Sequence, residues 1–255
     1  MIFGDLGSRD IARIAPDMIA MLPLGAVEQH GDHLPVITDT AIVTEFARRA
    51  EVLLPDHVVL LPTFWTGSSH HHLSFPGTLS ISSETFVRVV MDILECLVSS
   101  GFQRIFLLNG HGGNQTPFAE ALYRISLIHR APRIAAQSYW KLAANELAEQ
   151  NFMATSALSH ACEYETSLML ALGAAVKMPL AHGESPQRIS QFYDPLDRGS
   201  SRVVVSETFD QLSLNGALGS PEKATADKGE RLFNLITETI ISFLKDFKQW
   251  PLRQS

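Results

Sequence analysis

The sequence predicts an α/β fold, a three-layer α/β/α sandwich with a mostly parallel central sheet. Residues 18–24 and 58–61 form short apolar runs, which are typical of strands covered on both faces. Each run precedes a longer segment in which apolar residues recur at helical spacing. This alternation of strand and helix favours parallel strands with helices on both faces of the sheet. Since no repeat or composition break divides the chain, we expect one domain over residues 1–255.

Further elements follow from the same periodicity. Thr38 and Asp39 are expected to cap the helix after the first strand, and Ser82 or Ser83 the helix after the second. Pro221 suits the first position of a final helix. Residues 174–220 are rich in Gly, Pro, Ser and Asp and receive no assignment. We predict helices within residues 1–16 and over 40–54, 83–100, 117–129, 142–151, 160–172 and 221–247, and strands over 104–108 and 134–139.

Composition and charge exclude several classes of protein. The chain of 255 residues has a formal net charge of −7 and no block of Lys and Arg, which disfavours a nucleic-acid partner. No apolar run approaches the roughly 18 residues of a membrane span. The first residues lack the basic-then-apolar pattern of a secretory leader. Cys96 and Cys162 do not form a disulfide framework, so we expect a soluble protein of the reducing cytoplasm.

A dense set of ionisable side chains follows the first strand. Glu28 and His30 are two positions apart, so they point the same way on an extended backbone, and Asp39 lies where the next helix begins. Glu, His and Asp together suit divalent ions such as zinc or manganese. The alternative is a polar loop that caps a helix and carries a surface histidine. The stretch by itself favours neither interpretation.

His111 lies in a glycine-rich turn after the third predicted strand. Gly110, Gly112 and Gly113 let the backbone bend sharply and approach a ligand. A phosphate cradle is one functional interpretation, and an ordinary tight turn is the structural one. The spacing matches neither the P-loop nor the dinucleotide fingerprint, and no lysine follows. A metal ligand therefore fits His111 better than an anion site does.

Two other segments concentrate polar side chains. Residues 70–72 are three successive histidines, of which at least one is expected to be exposed. His160, Glu163 and Glu165 lie at the start of the otherwise apolar helix predicted over 160–172. Because these two carboxylates point to roughly opposite faces, we expect only one of them to face the core. Cys162 is a weak candidate for a nucleophile, since nothing near it in sequence marks it as activated.

Taken together, these segments resemble the motifs of the creatininase (creatinine amidohydrolase) family. The resemblance implies an α/β/α domain that cleaves a C–N bond of a small amide, formamide or cyclic amide with a metal-activated water. It also implies a homo-oligomer, often a hexamer, and a small-molecule substrate. The matching blocks stand in family order over nearly the whole chain: LPLGAVEQHGDHLP at 22–35 with TD at 38–39, FPGT at 75–78, LLNGHGGN at 107–114, SYW at 138–140, residues 160–170 and residues 220–230.

Carried onto this chain, the resemblance implies two divalent ions, with zinc favoured over manganese or iron. Glu28, Asp39 and His111 would hold one ion, and His30 with Asp39 the other, so that Asp39 bridges them. His160 would act as the acid–base residue beside the scissile bond. The residues implied to line the substrate pocket are Trp140, His72, Gly112 and Gly113.

Three positions depart from the creatinine-cleaving pattern. Creatininases carry a carboxylate ligand where this chain has Gly113, an aromatic residue at Gly112 and a tryptophan at Ser156. Because the aromatic walls for a flat ring are missing, we expect a substrate other than creatinine. Glu165 is the candidate to supply the missing carboxylate; alternatively it carries a proton or orients His160.

Two rival functions remain at this point. The first is a mononuclear hydrolase acting on a lactone, peptide-like or sugar-derived substrate, because the second metal site lacks its usual carboxylate at Gly113. The second is a non-catalytic module that binds a small ligand at the glycine turn. Counting the metal ions on the purified protein distinguishes all three hypotheses.

Overall fold

A four-stranded parallel sheet forms the centre of the molecule. The computed structural model describes residues 1–156, 158–195 and 201–253. In that part of the chain the strand order is β2-β1-β3-β4, and each neighbouring pair is parallel. The predicted α/β class with a mostly parallel sheet is therefore confirmed. The strands are β1 (Ile19–Leu24), β2 (Val58–Leu60), β3 (Arg104–Asn109) and β4 (Arg133–Ser138).

Helices cover both faces of this sheet. Ile19 and Met21 of β1 pack with α2, α7 and α9 on one face, whereas Ala20 and Leu22 pack with α3 and α4 on the other. This alternation follows from the two-residue period of a strand. The helices are α1 (Ser8–Ile14), α2 (Thr38–Leu53), α3 (Ser83–Ser99), α4 (Gln115–Ile128), α5 (Tyr139–Leu142), α6 (Ala144–Glu149), α7 (Glu163–Ala171), α8 (Phe209–Leu212) and α9 (Ala226–Gln249).

Aromatic packing joins α2, α5 and α9 beneath the carboxyl edge of the sheet. The ring of Phe46 lies 4.7 Å from that of Tyr139 and 4.9 Å from that of Phe233, and all three are buried. Burying side chains of this size stabilises the fold by about 1.5–3 kcal/mol each. This layer packs the middle of α2 against α5 and α9. Among the described residues, no helix is long and apolar enough to cross a membrane.

Two predicted helix starts are wrong. Thr38 and Asp39 do not cap α2 but form its first turn, where the Thr38 hydroxyl donates to the carbonyl of Pro35 at 2.6 Å. The final helix does not begin at Pro221, which opens a separate 3-10 turn. Instead α9 begins after Thr225, whose side chain accepts from the backbone N–H of Lys228. The prediction that Ser82 caps α3 is confirmed, since its hydroxyl accepts from the backbone of Thr85.

The region between β4 and α7 also differs from the prediction. The helix predicted over 142–151 is the shorter α6, and a separate short helix, α5, precedes it. The helix predicted from residue 160 begins at Glu163, so His160 lies in the preceding loop. Ala161 has a φ of 50°, in the left-handed region that non-glycine residues rarely adopt. This turn separates His160 from the helix and directs it toward the sheet edge.

Candidate metal centre

Five ionisable side chains converge at the carboxyl edge of the sheet. Glu28 and His30 come from the loop after β1, Asp39 from the first turn of α2, His111 from the loop after β3 and Glu165 from α7. These side chains lie between 0 and 5 % exposed. The centre is therefore removed from water, at the edge where parallel sheets place their ligands.

The distances divide the cluster into two groups that share Asp39. His111 Nδ1 lies 3.2 Å from Glu28 Oε2 and 3.0 Å from Asp39 Oδ2. His30 Nε2 lies 3.1 Å from Asp39 Oδ1 and 3.8 Å from Glu165 Oε2. The two oxygens of Asp39 thus face different histidines.

Hydrogen bonds fix which nitrogen of each histidine faces the carboxylates. His111 Nε2 donates to the carbonyl of Ser68 at 3.2 Å, and His30 Nδ1 donates to the carbonyl of Glu28, also at 3.2 Å. A carbonyl only accepts, so these nitrogens carry hydrogen. The other nitrogen of each neutral ring then turns its lone pair toward Asp39 and a second carboxylate. Lone pairs facing carboxylate oxygens repel unless a proton or a cation lies between them.

Three buried atoms of this cluster have no hydrogen-bond partner. They are Glu28 Oε2, His30 Nε2 and Asp39 Oδ2. Leaving such an atom unpaired costs about 1–3 kcal/mol, and more for a charged group. Glu28, Asp39 and His111 each place one ligand atom within 4.8 Å of the others, as do His30, His160 and Glu165. The donor set of imidazoles and carboxylates fits zinc, manganese or iron.

The electrostatics of the centre also require positive charge. Burial raises the pKa of Glu28, and it raises the pKa of Glu165 to about 8, with the charge of Asp39 adding to both. Burial opposes the cationic form of His30, yet Asp39 and its neighbours hold the pKa of His30 at about 10. In the same way, Glu28 and Asp39 outweigh burial and hold the pKa of His111 well above its usual value. Three carboxylates in one buried site thus favour the binding of either protons or metal cations.

His72 and His160 stand beside this cluster, at the floor of a cleft. His72 Nε2 lies 3.4 Å and His160 Nδ1 3.6 Å from the same oxygen, Glu28 Oε1. Burial lowers the pKa of both histidines well below its usual value, and neighbouring histidines lower it further. Both rings are therefore neutral near pH 7, which suits hydrogen bonding and proton transfer rather than ion pairing.

The backbone before α7 ties His160 to Glu165. Because of the left-handed turn at Ala161, the Ala161 N–H donates to Glu165 Oε2 at 2.5 Å. A strained residue of this kind costs on the order of 1–3 kcal/mol and clusters at functional sites. The turn sets the carboxylate of Glu165 between the loop of His160 and the ring of His30.

The cleft above the cluster has a volume of about 900 Å³. Trp140, His72, Gly112 and Gly113, the four residues expected to line a substrate pocket, all lie on its wall. Ser156 lines it as well, and Lys141 and Arg202 bring positive charge to its sides. Its volume is at the upper end of the roughly 300–1,000 Å³ usual for ligand pockets.

Gly112 and Gly113 are not equivalent. A Cβ at Gly113 would lie 2.1 Å from the Ser68 carbonyl oxygen and 2.5 Å from His111 Nε2, so no side chain fits there. A Cβ at Gly112 would meet no atom within 4 Å. The backbone of this chain therefore excludes a carboxylate at position 113. The carboxylate near His30 comes from Glu165 instead.

The expectation that only one of Glu163 and Glu165 faces the interior is wrong, because both are buried. Glu163 accepts from the backbone N–H groups of Ala154 and Thr155 at 2.9 and 2.7 Å and lies 2.5 Å from Lys228 Nζ. Burial opposes its charge, but Lys228 and these N–H groups hold the pKa of Glu163 below its usual value. The opposite helix face is covered by α9, which the local sequence did not reveal.

Two side chains near the cluster had no assigned role in the sequence. Gln29 is buried between Glu28 and His30, and its amide lies within hydrogen-bond distance of His72 and His160. The signal in the sequence that could have identified Gln29 is its position inside the motif. His33 is buried and bonds to Thr166 of α7 at 2.9 Å, and it does not line the cleft.

The fold and this centre define a class, the three-layer α/β/α hydrolases that place their chemistry at the carboxyl edge of a parallel sheet. Within that class the chain belongs to the creatininase family, since residues 5–244 match the family model described as creatinine amidohydrolase. It is a hydrolase of that family, acting on carbon–nitrogen bonds.

Relatives and solved structures agree over nearly the whole chain. A mycofactocin precursor peptide peptidase from Mycolicibacterium smegmatis is 30% identical over 257 residues, which cover 97% of this chain and 90% of the relative. A creatinine amidohydrolase from Pseudomonas putida is 27% identical over 254 residues, 92% of each chain. Two creatininase structures, a manganese form and a mutant of Zn–Zn type, match with a TM-score of 0.77 at 24% identity, covering 98% of this chain and 99% and 98% of theirs. The likeness to these structures establishes the fold.

Proposed function

We propose that this single-domain protein is an amidohydrolase that uses two divalent ions to cleave a C–N bond in an amide, formamide or cyclic amide. The observation that carries the proposal is the set of three buried, unpartnered atoms, Glu28 Oε2, His30 Nε2 and Asp39 Oδ2. In a neutral cluster each of these atoms faces another lone pair without hydrogen between them, Glu28 Oε2 and Asp39 Oδ2 at His111 and His30 Nε2 at Asp39 Oδ1, so one cation in each group would satisfy all three. The Zn–Zn and manganese forms of the related creatininases agree with this donor set.

The ligands follow from the two groups of distances. Glu28, Asp39 and His111 would hold one ion, while His30, Asp39 and Glu165 would hold the other. Asp39 offers one oxygen to each group, as a bridging ligand does. Zinc is the favoured metal, with manganese or iron as alternatives, because mixed imidazole and carboxylate ligation accepts all three.

The metal pair, when bound, would lower the pKa of a shared water and polarise the substrate carbonyl. His160 supplies the proton transfer, because it lines the cleft and its Nε2 donates to the carbonyl of Gln29 at 2.9 Å, which leaves Nδ1 of the neutral ring free of hydrogen. Nδ1 takes a proton from the attacking water and then delivers it to the leaving nitrogen. Glu165 lies beside the same path and either binds the second ion or carries that proton. Trp140 and His72 orient the substrate from the cleft wall.

A peptide-like substrate is the second candidate, supported by the size of the cleft. About 900 Å³ of space, with Gly112 and Ser156 where bulkier walls would narrow it, is far more than a small cyclic amide fills. The relative from Mycolicibacterium smegmatis is named for a precursor peptide. A panel of formamides, lactams, lactones and short peptides, tested with the metal-loaded protein, distinguishes these substrate classes.

The first test is a count of metal ions. We expect two ions per chain in the purified protein, and a large loss of both metal and activity in Asp39→Ala and His111→Ala. His182→Ala is the matched control, because His182 is exposed and lies outside the cleft. The measurement is elemental analysis of protein dialysed against metal-free buffer, followed by hydrolysis assays.

Each other outcome favours a rival. One ion per chain would indicate a mononuclear hydrolase, and full occupancy in Asp39→Ala would contradict the ligand assignment. No bound metal, with ligand binding insensitive to chelator, would indicate a non-catalytic binding module.

We also propose that the protein is a cytoplasmic homo-oligomer, up to a hexamer, which acts on a small-molecule substrate without a nucleic-acid or membrane partner.

A further inference from the structure

We propose that Gln29 is a positioning residue that makes the two cleft histidines present opposite hydrogen-bond polarity to Glu28, at the floor of the cleft. His72 becomes a hydrogen-bond donor and His160 a hydrogen-bond acceptor. The proposal rests on the proposed function only for its catalytic consequence. The hydrogen-bond pattern itself follows from the atoms around the Gln29 side chain.

The orientation of the Gln29 amide is fixed by two backbone groups. The Gly31 N–H donates to Gln29 Oε1 at 3.0 Å, and Gln29 Nε2 donates to the Gly216 carbonyl at 3.0 Å. If the amide were rotated by half a turn, its NH₂ group would face the N–H donor of Gly31. Its oxygen would then face the carbonyl oxygen of Gly216, and both contacts would be unfavourable. The side chain is buried, so water does not replace either bond.

Counting hydrogens then decides the state of both rings. Gln29 Nε2 carries two hydrogens, and the Gly216 carbonyl takes one of them. The other lies between His72 Nδ1 at 2.8 Å and His160 Nε2 at 3.1 Å. His160 Nε2 already donates to the backbone carbonyl of Gln29 at 2.9 Å, so it carries hydrogen and does not accept. The second amide hydrogen therefore goes to His72 Nδ1.

A ring with a single hydrogen therefore carries it on Nε2 in both residues, but the two rings turn opposite ends to the cluster. His72 directs Nε2–H at Glu28 Oε1, 3.4 Å away, which leaves Glu28 Oε2 available to a cation. His160 turns its bare Nδ1 toward the same oxygen, 3.6 Å away, at the floor of the cleft that it lines. Hydrolysis of an amide requires one group of each kind, a donor that orients a carboxylate or carbonyl oxygen and an acceptor for a proton.

Gly216 is built to hold this amide in place. It has a φ of +79°, and a Cβ there would lie 1.9 Å from Gln29 Oε1. Only glycine allows this backbone to close over the amide and offer its carbonyl. The segment after α8 thus contributes to the polarity of the cleft without a side chain of its own.

The test reads the hydrogen on each ring nitrogen directly. In the zinc-loaded protein, ¹⁵N NMR of histidine side chains should show His72 and His160 neutral with hydrogen on Nε2. In Gln29→Glu the carboxylate accepts instead of donating, so His72 should gain hydrogen on Nδ1. We expect kcat to fall about 10–100-fold, as for other residues that orient ligands, while bound zinc is retained. Gln103→Glu, at a half-buried glutamine outside the cleft, is the matched control.

A second pair of variants tests the proposal independently of the Gln29→Glu substitution. Gly216→Ala should displace the Gln29 amide and reproduce the loss of kcat. Gly173→Ala should not, because Gly173 has a similar φ of +68° but no atom within 4 Å of a Cβ. Hydrogen on His72 Nδ1 in the wild type, or an unchanged His72 spectrum in folded Gln29→Glu, overturns the proposal. If the wild type lacks bound metal or amidase activity, only the proposed function is contradicted, because NMR still reports the tautomers of both histidines in that protein.

Discussion

The orientation of single imidazole rings decides what the centre binds. His30 and His111 each donate a hydrogen bond from one ring nitrogen to a backbone carbonyl, so only the other nitrogen faces the carboxylates. The family resemblance predicted that Glu28, His30 and Asp39 act together, whereas their spacing by itself left a polar loop as an alternative. The sequence could not predict which nitrogen faces inward, because the carbonyl of Ser68 comes from a loop distant in sequence.

The glycine turn beside His111 provides a prediction at the same scale. Gly113→Ala places a methyl group against the Ser68 carbonyl and His111 Nε2, and a backbone atom does not move away cheaply. We expect a loss of about 1–3 kcal/mol in the free energy of unfolding, together with weaker metal binding. Urea denaturation and metal titration measure the two effects.

Gly112→Ala is the matched control for that prediction. A methyl group there enters open space, so stability should change by less than about 0.5 kcal/mol. Equal stability of the two variants would show that the turn relaxes around Gly113 and that a carboxylate at that position is sterically allowed after all.

At the scale of elements, periodicity predicted most helices and strands, whereas their ends depended on tertiary contacts. Ser82 caps α3 as predicted, because that helix end is exposed and its cap is local. Asp39 fails as a cap because its carboxylate is drawn into the buried cluster with His30 and His111. Competition from a functional side chain thus explains the misplaced start of α2, whereas the misplaced start of α9 arises because Pro221 opens a separate 3-10 turn.

The pairing of α7 with α9 through Glu163 and Lys228 gives a second prediction. Glu163→Gln should lower the free energy of unfolding by about 1–3 kcal/mol at pH 7, since a buried charged hydrogen-bond acceptor is lost. The pKa of Glu163 lies below its usual value of 4.5 in the folded protein. Its stabilisation is therefore fully present above pH 4.5 and is lost as the pH falls through the folded pKa.

The difference between wild type and Glu163→Gln should accordingly be constant near neutrality and shrink in acid. Urea denaturation at a series of pH values measures it. Glu222→Gln, at an exposed glutamate in the turn before α9, should behave as wild type throughout. A difference that grows as the pH falls would contradict the ion pair as the source of the stability.

At the scale of the whole molecule, the sequence placed the sheet and the cluster but not the outer wall of the cleft. That wall includes Tyr193, Arg202 and Phe209, from the segment that had no assigned elements. The sequence of this segment shows no hydrophobic periodicity of a helix or strand, because the segment packs on the cleft rather than on the sheet. The predicted substrate residues Trp140 and His72, in contrast, follow recognisable motifs, and the ring of Phe209 stacks on that of His72 at 4.0 Å.

The surface of α4 carries the last prediction, which concerns assembly. Tyr123, Leu127 and Ile128 are 63, 64 and 57 % exposed, which is unusual for three large apolar side chains on one helix end. We expect this patch to bury against a second copy of the chain. Leu127→Glu should therefore shift the protein to a smaller species in light scattering coupled to size exclusion.

Leu214→Glu is the control, because Leu214 is 88 % exposed and lies away from α4. If both variants keep the wild-type mass, the interface lies elsewhere, and a monomeric wild type would refute the oligomer itself. The site need not depend on assembly, because the five clustered side chains and both cleft histidines come from one chain. Leu127→Glu should therefore retain its metal ions even when it no longer associates, which separates the assembly from the chemistry.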